Sequence, residues 1–266
     1  DDHCRALRDA GYTAIDLDTL SAGFSGKETL PAKPVVLTFD DGYTSCWDLA
    51  KPVLDRYGMK GVFYIAVDPD EHSRELIRGI DGFMAPEQLR ALHAEGHTIG
   101  SHTMTHCLLS EMNDTEAMWE LTTSKAHLEE VIGAPVPHFC IPRAGGNRRI
   151  LRHIATAGYT TSTGADKGSA HPGHDLLRLP RFGVSRGTTG EALLRRLQPM
   201  RAARERMLGE LRLIPTRALG PRAGYALRQV LYGGPIRRAL LQEHLALVLA
   251  VLAVVYVAGM CAWWFA

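Results

Sequence analysis

The sequence predicts an α/β fold built from parallel βαβ units. Short apolar strands alternate along the chain with helices of about ten residues or more. Three of those strands run straight into polar, chemistry-bearing clusters, and active sites in parallel α/β folds gather at strand C-terminal ends. At 266 residues the chain can hold one domain with a sizeable core and an appendage.

The elements follow in order. Residues 3–10 read as a helix running into Gly11-Tyr12. Strand 35–39 comes next, then helix 44–57 and strand 61–66, "GVFYIA". After a loop, helix 86–95 opens with Pro86 at its first turn, where the missing N–H costs nothing. Strand 97–101, "HTIGS", precedes a long helix over about 114–132, whose start is marked by Asn113-Asp114 and by Glu116 in the first turn. Strand 137–142, helix 148–157 and the stretch 158–164 follow. A loop with Gly168, Pro172 and Gly173 leads to the apolar run 176–184.

Net charge is +1, so nothing global points to a nucleic-acid partner and none is expected. Five cysteines (4, 46, 107, 140, 261) are scattered with no C-x-x-C pair, which argues against a disulfide scaffold. The charge is unevenly placed: residues 192–243 hold 11 Arg and no Lys against Glu205, Glu210 and Glu243. This segment, 191–243, reads as short amphipathic helices whose arginines suit anionic headgroups or a solvated face. Residues 245–266 carry no charge over 22 positions. At 1.5 Å per residue they span roughly 33 Å, enough for a bilayer core, with Trp263 and Trp264 suited to an interface. A single membrane helix is therefore expected over 244–266, and the arginines before it place the domain on the cytoplasmic side by the positive-inside rule. Oligomeric state leaves no trace in the sequence.

Four clusters carry chemistry. "LTFDDGY" puts Asp40 and Asp41 at a strand end; one Asp could cap the next helix, but two adjacent carboxylates repel unless a cation or shared proton relieves them. "GSHTMTH" spaces His102 and His106 four apart, which places both imidazoles on one face if the segment turns helically and suits two metal ligands; a solvent-facing pair is the plain alternative. "FCIPRAGGN", 139–147, runs a strand into Pro142, Arg143 and Gly145, a turn that allows close backbone approach to a ligand. Arg181 sits on an apolar strand, where it needs a carboxylate partner or a snorkelling path to solvent.

Together these motifs resemble the polysaccharide deacetylase family, the NodB-homology domain of carbohydrate esterase family four. "LTFDDGY" and "GHTIGSHTMTH" are similar to the family's first two motifs, "CRALRDAGY" resembles a segment that often precedes them, and the resemblance covers roughly residues 1–190. It implies a distorted (β/α)7-type barrel, with Asp41, His102 and His106 holding a divalent metal, usually zinc. Asp40 is then the catalytic base, Arg181 orients it, and Pro142, Arg143 and Gly145 line the substrate and oxyanion turn. The implied activity is removal of acetyl groups from the nitrogen of an N-acetylated saccharide, a glycan or a lipid-linked sugar. A catalytically silent glycan-binding or scaffolding domain is the rival reading, and a non-sugar amide is an alternative substrate. Two departures stand out. The third motif lacks the family's aromatic after Pro142, and no late Leu-x-His supplies a general acid. His171 and His174 lie in a loop, so the acid is expected upstream of residue 1.

Overall fold

The computed structural model describes residues 1–77, 81–144 and 146–197, all of which fall within one compact unit, Asp1–Ala202. The expected membrane helix over 244–266 and nearly all of the Arg-rich segment lie outside the described residues. Among the described residues no helix is long and apolar enough to cross a membrane.

The chain opens with α1 (Asp2–Asp9), strand β1 (Thr13–Ala14) and α2 (Leu17–Phe24), whose N-terminus is capped by the Asp16 carboxylate on the Thr19 N–H. The expected strand 35–39 divides in two. Its first part, β2 (Pro34–Val35), pairs in parallel with β1; its second, β3 (Thr38–Phe39), pairs with β4 (Val62–Ile65). Between β3 and β4 the expected single helix begins as a π turn, Cys46–Ala50, before α3 (Lys51–Arg56). Pro52 has no N–H for the carbonyl four residues back, so the regular ladder cannot run through it.

The remaining elements are α4 (Glu71–Ile77), α5 (Pro86–Ala94), β5 (Thr98–Ser101), α6 (Asp114–Ile132), β6 (His138–Cys140), α7 (Arg148–Thr156), β7 (Thr161–Lys167), β8 (Leu179–Arg181) and α8 (Gly190–Leu197). The expected helix starts at Pro86 and Asn113 hold, the second as a full capping box with Glu116. Strands β3 to β8 form one parallel sheet in sequence order, six strands where the resemblance implied about seven. Part of the first predicted strand serves the small β1–β2 sheet instead.

Alternate residues of each strand face opposite sides. In β4, Phe63 and Ile65 pack among the helices with Leu7, Leu54, Leu89, Leu92 and Leu128. Val62 and Tyr64 point the other way, into a cluster with Cys140, Leu179 and the α2 residues Leu17 and Leu20. Strands β4, β6 and β8 thus share one inner cluster with α2 across most of the sheet's width, so the sheet curls. Arg181 on the last strand reaches Asp40 at the end of the first, closing the seam through side chains rather than through a strand ladder. Gly100 makes room inside this curl: a Cβ there would lie 2.5 Å from the Tyr64 ring.

Candidate active site

The two adjacent carboxylates part company at the end of β3. Asp41 has φ 72 and Gly42 φ 81, a left-handed pair that turns the chain sharply. Asp41 Oδ1 lies 3.3 Å from His102 Nε2 and 3.2 Å from His106 Nε2. Burial alone would raise the Asp41 pKa, but the two imidazoles facing it hold it well below the usual carboxylate range. Asp40 turns instead to Arg181, whose Nη1 and Nη2 donate to its two oxygens at 2.7 and 2.5 Å. Arg181 also donates to Thr38 Oγ1 at 3.1 Å. Burial disfavours the guanidinium charge, yet the opposing contributions, led by the hydrogen bonds to Asp40, raise the Arg181 pKa above its ordinary value.

His102 leaves β5 with its N–H on the Ile65 carbonyl at 2.8 Å. The expected helical turn over 102–106 does not form. Thr103 and His106 adopt left-handed φ values of 71° and 60°, and this kinked loop, not helix periodicity, brings the two rings to 5.1 Å. The physical reason is the loop's own bonding: the Thr103 hydroxyl accepts the His106 N–H at 3.0 Å, and the Met104 and Thr105 N–H groups go to Glu120 rather than back along the chain.

Asp41, His102 and His106 fit a divalent cation. Their ligand atoms lie within 4.8 Å of one another. His102 Nδ1 contacts the Cys140 carbonyl at 2.7 Å, and a carbonyl can only accept, so Nδ1 carries the hydrogen and Nε2 is the atom left to a metal. His106 Nδ1 meets the Ser73 hydroxyl at 3.1 Å, a contact that occupies Nδ1 and leaves Nε2 facing Asp41. Asp40, His102 and Cys140 are also close enough to form a ligand group. That second cluster already holds a cation of its own, because the Arg181 guanidinium takes both Asp40 oxygens and lies 3.1 Å from Cys140 Sγ.

Pro142 and Arg143 form a tight turn straight after β6, with Arg143 at φ 55°. Arg143 Nη2 donates to Ser73 Oγ at 3.4 Å and lies 3.9 Å from Asp70, so its side chain borders the support of His106. Gly145 lies outside the described residues. Asp41, Thr103, His106 and Arg143 are all the non-glycine residues with positive φ among the described residues, and all border this one site. Such conformations cost about 1–3 kcal/mol each and persist where surrounding contacts over-determine them.

The family model for polysaccharide deacetylases matches residues 27–162, just over half of the chain. The chain belongs to the polysaccharide deacetylase family. This deacetylase-family chain is 27% identical over 190 residues to the putative polysaccharide deacetylase YxkH of Bacillus subtilis, covering 71% of this chain and 65% of that protein. It is 28% identical over 130 residues to a chitooligosaccharide deacetylase of Bradyrhizobium, covering 47% and 53%. It therefore spans just under two thirds of the first relative and about half of the second. The fold is similar to that of the Streptococcus pyogenes deacetylase PplD, solved in complex with acetate, with a TM-score of 0.67 at 22% identity over 74% of this chain and 85% of that one. It also resembles the polysaccharide deacetylase BC0361 of Bacillus cereus, with a TM-score of 0.60 at 23% identity over 73% and 60%.

Several residues of this site carry no motif signal. Ser73 comes from α4, in a stretch read as loop. Cys140 enters the sequence analysis only as one of five scattered cysteines. Glu120 carried the clearest signal: Ala117, Glu120, Leu121, Ser124 and Leu128 make up the buried stripe of α6, so a charge sits at a core position. His171 and His174 form a pair with ring centroids 3.8 Å apart in the exposed loop ahead of β8, and Asp175 caps the turn after it.

Proposed function

We propose that the domain is a metal-dependent hydrolase that removes the acetyl group from the nitrogen of an N-acetylated saccharide. The supporting observation is the division of labour between neighbours: Asp41 faces two imidazoles while Asp40 is held apart by Arg181. Asp41, His102 and His106 would hold the cation, and two imidazoles with one carboxylate suit zinc. When bound, such an ion acts as a Lewis acid that lowers the pKa of a water and polarises a carbonyl.

The chain's own residues do the rest. Arg181 donates to both Asp40 oxygens, and a remaining lone pair takes the proton of the attacking water. Arg181 fixes the direction of that carboxylate through its further bond to Thr38. The tetrahedral oxyanion needs donors at the mouth of the site, a role we assign to the 142–146 turn. The uncharged run 245–266 is assigned as a membrane anchor with the domain facing the cytoplasm, which carbonate extraction and protease protection of the full chain would check.

The deciding experiment pairs metal analysis with acetate release from chitooligosaccharides and related N-acetylated glycans. Asp41→Ala is expected to lose bound zinc and acetate release together. Wild-type protein that binds zinc and releases no acetate from any such glycan would favour a silent glycan-binding domain. Release confined to non-sugar amides would redirect the substrate.

A further inference from the structure

The loop that carries both histidines is gripped by a residue that none of the motifs contains. Glu120 on α6 is 2% exposed. Its Oε2 accepts the main-chain N–H groups of Met104 at 2.8 Å and Thr105 at 2.9 Å. Its Oε1 accepts the Thr105 hydroxyl at 2.6 Å. Two successive N–H groups converging on one oxygen make a small anion-binding nest, and the chain supplies its own carboxylate as the anion. Among the described residues no lysine or arginine pairs with Glu120, so these donors are what satisfies its buried oxygens.

The grip falls where the backbone is least comfortable. Met104 and Thr105 lie between Thr103 and His106, the two left-handed residues of the loop. On the opposite side, the carbonyls of Thr103, Met104 and Thr105 accept N–H groups of Val67, Asp68 and Asp70 at 3.2, 2.7 and 3.0 Å. The loop is thus clamped between the 67–70 segment and α6, and the Met104 and Thr105 N–H groups both go to Glu120. The carboxylate also stands on the core stripe of α6, backed by the Ser124 hydroxyl on the Glu120 carbonyl at 2.6 Å, so helix packing fixes its place.

We infer that Glu120 is a positioning residue for the metal site, setting the separation and orientation of His102 and His106 through the main chain of Met104 and Thr105. This rests on the metal-dependent reading above. The competing role is a plain tether of α6 to the sheet, which would affect stability and leave the affinity of the ligand set untouched.

The test titrates metal-stripped full chain with zinc in competition with a chromophoric chelator, alongside thermal melting. Glu120→Gln puts an amide N–H₂ against the nest and is expected to weaken zinc binding about 10- to 100-fold, the usual range for outer-sphere partners of ligands. Thr105→Val removes one of the three donors and should weaken it about threefold. Leu128→Ala, buried on the same helix but packed in the core, should melt earlier and bind zinc as the wild type does. Acetate release by Glu120→Gln should recover as zinc is raised. Zinc affinities of Glu120→Gln and Thr105→Val within 1.5-fold of wild type would overturn the inference, and if Glu120→Gln does not fold, Thr105→Val decides alone by the same criterion. Wild-type protein that takes up no zinc would instead remove the metal-dependent reading beneath it.

Discussion

Asp40 and Asp41 are neighbours in sequence with opposite surroundings. Asp41 faces two imidazole nitrogens at 3.2 and 3.3 Å, a set with room for a cation. Asp40 already has its cation, covalently supplied by the chain as Arg181. The left-handed turn at Asp41 and Gly42 separates the two, so like charges that would repel are each relieved by a different positive partner. Under the proposed roles, a base can stand beside a metal ligand without being captured by the metal, because it arrives already paired.

Substitutions at the two positions should separate the roles, and the largest effect is expected at Asp41. Asp41→Asn should abolish zinc content and acetate release together, read by elemental analysis and an acetate assay. Asp40→Asn should keep its zinc and lose about 10²- to 10⁴-fold in kcat, the usual worth of a positioned base. Loss of zinc from that variant would break the comparison, because it would make Asp40 a ligand. Arg181→Met should come next, with kcat down about 10- to 100-fold and zinc content unchanged, since it removes two charge-assisted hydrogen bonds from Asp40. Gly100→Ala should cost about 1–3 kcal/mol in thermal stability, as its Cβ collides with the Tyr64 ring in the packed interior beneath Arg181.

The smallest effect sharpens the comparison with a histidine that is not a ligand. His97 is buried against Phe63, accepts the Gly61 N–H at 3.1 Å, and has its pKa lowered by burial, with Lys60 adding to the shift and Asp55 opposing it. Its folded pKa lies below its unfolded value of about 6.5. The unfolded chain therefore takes up the proton first, and stability present above that value falls as pH drops through it toward the folded pKa. Melting curves at pH 7.5 and 5.5 should show this loss. His97→Gln, which keeps an acceptor for Gly61, should flatten it; an unchanged pH slope in that variant would assign the loss elsewhere.

Much of the frame was legible because it depends on near neighbours. The apolar runs at 61–66, 97–101 and 137–142, the cap at Asn113 and the Pro86 start each announce themselves within a few residues, and all appear in the structure. The elements that escaped, β1, α2 and α4, are short or weakly patterned, and the first two are settled by long-range pairing and by packing inside the curl. The π turn before α3 and the left-handed loop at 103–106 also deviate from simple periodicity, one because of a proline and the other because Glu120 claims its donors.

By itself the sequence determined which groups stand at the strand ends: two carboxylates after β3 and two imidazoles after β5, with the residue types a metal hydrolase requires. Only the tertiary structure decided which carboxylate faces the imidazoles and which pairs with an arginine. That choice depends on Arg181, 141 positions away, on the Cys140 carbonyl that commits His102 Nδ1, and on Glu120 beneath the loop. Local chemistry is written in composition and spacing, whereas a charge partner or a tautomer depends on strand register and the curl of the sheet, which bring distant residues within hydrogen-bonding range.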